Sequence, residues 1–72
     1  MCQGLPCIDS KVRLNRGLLR EGKEFPIGVR GEVVKEFQNT REIEVRVKYQ
    51  GQYYSIRVGE YDVEIIERPL PS

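Results

Sequence analysis

A chain of 72 residues has room for one small domain and no second core. Hydrophobic residues at 39% against 32% charged, set in regular runs, exclude a disordered chain, and no apolar stretch is long enough to cross a bilayer as a helix. A formal net charge of +1 with no histidine excludes a general pull toward polyanions and leaves no general base that titrates near neutral pH.

The first nine residues read as a flexible arm. They lack the basic start and long apolar run of a signal peptide, which predicts a cytoplasmic, reducing setting in which Cys2 and Cys7 are free thiols. Ser10 to Leu14 alternate, with Val12 and Leu14 on one side and Lys11 and Arg13 on the other, and predict the first strand. Asn15 to Gly28 is interrupted by Gly17, Gly22, Pro26 and Gly28 and predicts a long irregular loop. Val29 to Phe37 predicts a second strand, in which Gly31 beside Val33 marks a bulge or a close approach of two backbones. Gln38 to Thr40 turns the chain.

Gln50-Gly51 between two alternating runs has the pattern of a two-residue hairpin loop. That loop sets Lys48 opposite Tyr53, Val47 opposite Tyr54, Arg46 opposite Ser55, Val45 opposite Ile56, Glu44 opposite Arg57 and Ile43 opposite Val58. A slip of one residue would destroy every match at once, so the register is specified. Val45, Val47, Tyr54 and Ile56 are expected in the core. Glu42, Glu44, Arg46, Lys48 and Arg57 are expected on an outer face of mixed sign, where Glu44 pairs with Arg57 and Lys48 lies beside Tyr53. Gly59 to Tyr61 predicts one tight turn, and Asp62 to Ile66 a short fifth strand with Val63 and Ile65 on one side. Pro69 and Pro71 end the regular structure. The expectation is an all-β fold of five strands that closes into a small barrel over residues 10 to 67, followed by a flexible tail over 68 to 72.

The runs "KVRL", "RGEVV", "IEVRVKYQGQYY" and "DVEII" resemble the small SH3-like barrels. These include minimal accessory subunits of electron-transfer complexes, such as the stromal peripheral subunit of photosystem I and the variable chain of ferredoxin-thioredoxin reductase, and uncharacterised bacterial single-barrel proteins. The resemblance implies a five-stranded SH3-like barrel with a long loop after strand 1 and a one-turn 3-10 segment before strand 5. The Asn-rich segment of the photosystem subunit and the His-containing loop of the reductase chain have no counterpart, so none of their partner-binding residues is carried over. Separately, "MCQGLP" resembles the start of small hydrogenase-maturation chaperones, in which the Cys next to the initiator serves metal-centre assembly; that resemblance implies such a role for Cys2.

No catalytic, metal or cofactor site is expected. The serines have no activating neighbours, "RGLLREGKEF" lacks the Ser or Thr and the helix of a phosphate loop, and two thiols without His do not complete a tetrahedral metal site. The chain is therefore read as non-enzymatic. In SH3-like barrels the long loop, the turn between the second and third strands and the turn before the last gather on one side, where this chain would present Arg16, Leu18, Leu19, Arg20, Lys23, Phe25, Asn39 and Tyr61. A protein partner is expected there, touched by Leu18, Leu19, Phe25 and Tyr61 with Arg16 and Arg20 at the rim. A competing reading has Phe25, Ile27 and one of the two leucines plug the open end of the barrel.

Charge is uneven along the chain. Residues 1 to 35 hold seven basic and four acidic side chains, a balance of +3, and residues 36 to 72 hold five and seven, a balance of −2. The alternative function is therefore a nucleic-acid-binding barrel using Arg13, Arg16, Arg20, Lys23 and Arg30. Membrane insertion is not expected.

Overall fold

The computed structural model of the chain describes residues 6–68. Seven antiparallel strands form, and there is no α-helix among the described residues: β1 (Lys11–Leu14), β2 (Leu18–Arg20), β3 (Lys23–Phe25), β4 (Arg30–Phe37), β5 (Glu42–Tyr49), β6 (Gln52–Gly59) and β7 (Val63–Glu67). Five of them make one sheet in the order β6-β5-β4-β1-β7, and β2 and β3 make a separate two-stranded sheet. The inward residues of the alternating runs, Val12, Leu14, Val33, Ile43, Val45, Val47, Ile56, Val58 and Val63, are buried together, as the period of two requires.

The β5–β6 hairpin has the expected register at all six of the predicted pairs. Gln50 (φ 52°) and Gly51 (φ 78°) are both left-handed, the backbone of a two-residue turn whose twist matches that of its strands. Gly31 is the expected close approach: a Cβ there would lie 2.5 Å from Val45 Cγ1 and 2.7 Å from the Arg46 carbonyl oxygen. The ladder irregularity lies further along β4, between Val33 and Lys35, and Val34 at that point is exposed.

The segment expected to be an irregular loop instead carries the β2–β3 hairpin. Glu21 (φ 51°) and Gly22 (φ 75°) repeat the left-handed pair of Gln50-Gly51, and Leu18 stands opposite Phe25 across the short ladder. Both residues are buried, and the Phe25 ring packs against Tyr49 and Tyr54 at centroid distances of 5.7 and 5.6 Å, the latter edge-on. The hairpin thus covers the inner face of the β5–β6 end of the sheet.

The sheet does not close into the expected barrel. β6 and β7 lie at opposite ends of the strand order, and at the β6 edge the Arg57 carbonyl accepts a 2.7 Å hydrogen bond from Arg20 Nε of the hairpin. A side chain thereby satisfies an edge group that strand pairing would otherwise have to satisfy. Nor is there a 3-10 segment before the last strand: the Asp62 N–H donates to the Gly59 carbonyl at 3.0 Å, and this single bonded turn leads directly into β7. Within residues 6–9 of the expected arm, Pro6 is buried and the Asp9 N–H donates to the Val33 carbonyl at 2.8 Å. Cys7 is disulfide-bonded, so the expected free thiol is not found at that position. Cys2, the remainder of the arm, Pro69 and Pro71 lie outside the described residues.

Candidate functional site

Three connections meet at one end of the molecule, and Asp62 holds two of them. Its half-buried carboxylate accepts a 2.9 Å hydrogen bond from the Gly59 N–H and stands 3.1 Å from Arg16 Nε and 3.8 Å from Arg20 Nη2. The backbone repeats the link: the Asn15 N–H donates to the Asp62 carbonyl at 2.8 Å, and Asn15 Nδ2 donates to the Tyr61 carbonyl at 3.4 Å. The base of the β2–β3 hairpin is therefore tied to the β6–β7 turn by side chain and main chain together.

The third connection, the β4–β5 turn, is tied to the same place through Glu60. Arg41 Nε and Nη2 donate to the two carboxylate oxygens of Glu60 at 2.9 and 2.8 Å, a bidentate geometry, and the Glu60 N–H donates to the Arg41 carbonyl at 3.3 Å. The hydrogen bonds from Arg41, opposed by burial, hold the Glu60 carboxyl below its ordinary range and raise the Arg41 guanidinium above its own.

Of the residues expected to touch a protein partner, this end brings together Arg16, Arg20, Leu19 and Tyr61. Leu19 is 67% exposed and Tyr61 78% exposed. Leu18 and Phe25 belong to the core, because alternation in β2 turns Leu18 inward as it turns Leu19 outward and the cross-strand partner of Leu18 is Phe25. Ile27, expected as a possible plug, is exposed.

The five basic residues of the nucleic-acid alternative divide among three places. Arg16 and Arg20 are engaged by Asp62, Lys23 Nζ lies 5.2 Å from the Tyr54 ring centroid, and Arg13 and Arg30 stand on the outer face of the five-stranded sheet, where Arg13 pairs with Glu64. That outer face holds an open groove of about 590 Å³, lined by Lys11, Arg30, Gly31, Glu32, Arg46, Lys48, Tyr53, Ile66 and Glu67. Lys48 Nζ lies 5.6 Å from the Tyr53 centroid, as its register implies, and the Arg46 guanidinium is closer at 4.4 Å. Glu44 and Arg57 are register partners, yet Arg57 gives its ion pair to Glu42 at 2.9 Å while lying 3.9 Å from the Phe37 centroid.

Reading the sequence missed Asp62, Glu60 and Arg41 as organisers of the loop end. The available signal was the spacing from Gly59 to Asp62, which lets a carboxylate close its own turn by reaching back to a main-chain N–H. Comparisons with protein-family models, curated proteins and solved structures found no match to this chain.

Proposed function

We propose that the chain is a small SH3-like domain, its barrel left open between β6 and β7, acting as a non-enzymatic protein-interaction module or accessory subunit, which docks a protein partner at the end where the β2–β3 hairpin meets the β6–β7 turn. The observation that carries this reading is the exposure of Leu19 and Tyr61 on two segments fastened to each other through Asp62. Two large side chains held outward on a pre-ordered frame lose little further conformational freedom on binding, and Arg16 and Arg20 supply charge beside them. The architecture half of the proposal is supported by the strand order β6-β5-β4-β1-β7 with a hairpin inserted after β1, the place of the long loop in that fold. Cytoplasmic residence, expected from the sequence, stays part of the proposal; the disulfide at Cys7 weighs the other way, since such bonds persist in oxidising compartments. Metal-centre assembly through Cys2 concerns a residue outside the described ones.

Affinity capture with the tagged chain, followed by mass spectrometry under oxidising and reducing conditions, is expected to retain a stoichiometric protein partner. Leu19→Asp and Tyr61→Ala should each lose it while leaving the melting temperature unchanged. Failure to retain any partner under gentle conditions, or retention indifferent to both substitutions, would contradict the proposal.

A further inference from the structure

Two adjacent rows on the outer face of the five-stranded sheet follow opposite rules. One crosses β7, β1, β4, β5 and β6 as Glu67, Lys11, Glu32, Arg46 and Ser55, alternating in sign, with Lys11 Nζ 3.6 Å from Glu67. The next starts with Glu64 and Arg13 and then places Arg13 directly opposite Arg30. The β4–β5 register, continued by one residue, brings Arg30 beside Lys48, whose own partner is Tyr53.

Glu64 neutralises Arg13, but among the described residues neither Arg30 nor Lys48 has a carboxylate within ion-pair distance. Like charges on strands about 4.8 Å apart destabilise a sheet, and the ring contact of this exposed pair, Lys48 Nζ 5.6 Å from the Tyr53 centroid, leaves both cations without a counter-charge. A local rule broken in one row and obeyed in its neighbour is the pattern expected where a ligand supplies the missing charge.

We propose that this row binds a single-stranded nucleic acid, with phosphates at Arg30 and Lys48 and a base against Tyr53. The proposal uses residues distinct from those of the hairpin end and does not depend on the reading given to that end. The Tyr53 ring is 59% exposed with Arg46 against it, and Ile66, at the β1–β7 register shift, is exposed in the same groove. A chain of carboxylates would use only the cations and leave ring and isoleucine in water. A polynucleotide uses both, because every base has a stacking face and every linkage a charge.

The test is fluorescence anisotropy on the full chain with labelled oligoribonucleotides and oligodeoxyribonucleotides of about ten residues, a length within the usual range for small β domains. Binding is expected at low ionic strength. Two phosphate contacts, at Arg30 and Lys48, mean that log affinity should fall against log salt with a slope of about −1.4. Tyr53→Ala should weaken binding about tenfold. Lys48→Glu should abolish it without lowering the melting temperature, since it relieves the like-charge pair. Tighter binding of the ribo-oligomer would identify RNA as the ligand, tighter binding of the deoxy-oligomer DNA, and equal binding a surface that reads the shared backbone and bases. Absence of binding by both oligomers, equal binding of a duplex, equal competition by polyglutamate, or undiminished binding by Lys48→Glu would each overturn the proposal.

Discussion

The two hairpins, β5–β6 and β2–β3, turn on the same chemistry and differ in everything that follows the turn. Each has a pair of left-handed residues ending in glycine, Gln50-Gly51 in one and Glu21-Gly22 in the other. The first continues into strands of eight residues that carry Ile43, Val45, Val47, Ile56 and Val58 into the core. The second continues into strands of three residues and contributes only Leu18 and Phe25. A ladder that short does not hold itself, so its position depends on two buried side chains and on the links from Arg16 and Arg20 to Asp62. A long hairpin makes the frame, and a short one with the same turn becomes a docked cover whose outward side chains are free for other use.

Substitutions can break that contrast, and the largest effect is expected at the cover's own plug. Phe25→Ala should cost about 3 to 5 kcal/mol, most of the stability of so small a domain, measured by denaturant unfolding. Gly31→Ala comes next on the frame side, at about 3 kcal/mol, because the added methyl meets the Arg46 carbonyl oxygen as well as Val45 and Val47, and a main-chain atom cannot move aside cheaply. Asp62→Ala should cost about 1 to 2 kcal/mol by leaving the Gly59 N–H without its acceptor, and should speed hydrogen exchange in β2 and β3 more than in β5 and β6. Asp62→Asn keeps an acceptor for Gly59 while removing the charge that draws Arg16 and Arg20, so it separates turn closure from the hold on the cover.

Smaller effects sharpen the comparison. Gly22→Ala and Gly51→Ala should each cost about 1 kcal/mol, because the left-handed strain of an L residue is the same in both turns and neither position has a neighbour for the new methyl to strike. The Arg41–Glu60 link gives the smallest effect. Hydrogen bonds from Arg41 set the Glu60 carboxyl below its ordinary value of 4.5, so its contribution is present above that pH and is lost as pH falls through the lowered value. Arg41→Gln should flatten that acid limb of a stability-against-pH curve.

The same contrast explains what was legible in the sequence. Eight-residue strands repeat their alternation often enough to specify one register, which is why the six pairs from Lys48–Tyr53 to Ile43–Val58 are readable from the sequence alone. "LLR" and "KEF" are too short to show a period, and Gly17, Gly22, Pro26 and Gly28 around them read as interruption, so Glu21-Gly22 passed unrecognised as a hairpin turn. Which leucine would be buried could not be settled without that hairpin. Arg30 beside Lys48 needed the registers of three strands at once, and the ties of Arg41 and Arg16 to the β6–β7 turn join residues distant in the chain. The gathering of the loop end was anticipated from the fold class, while the carboxylates that accomplish it were not.

The division of the β2–β3 hairpin into an inward plug and an outward contact is tested most directly by one change made at two adjacent residues. Thermal unfolding of Leu18→Asp and Leu19→Asp should differ sharply: the first places a carboxylate in the core beside Phe25 and should leave the chain unfolded, and the second should melt within about 0.5 kcal/mol of the parent. Equal melting of the two variants, or a larger loss for Leu19→Asp, would contradict the account.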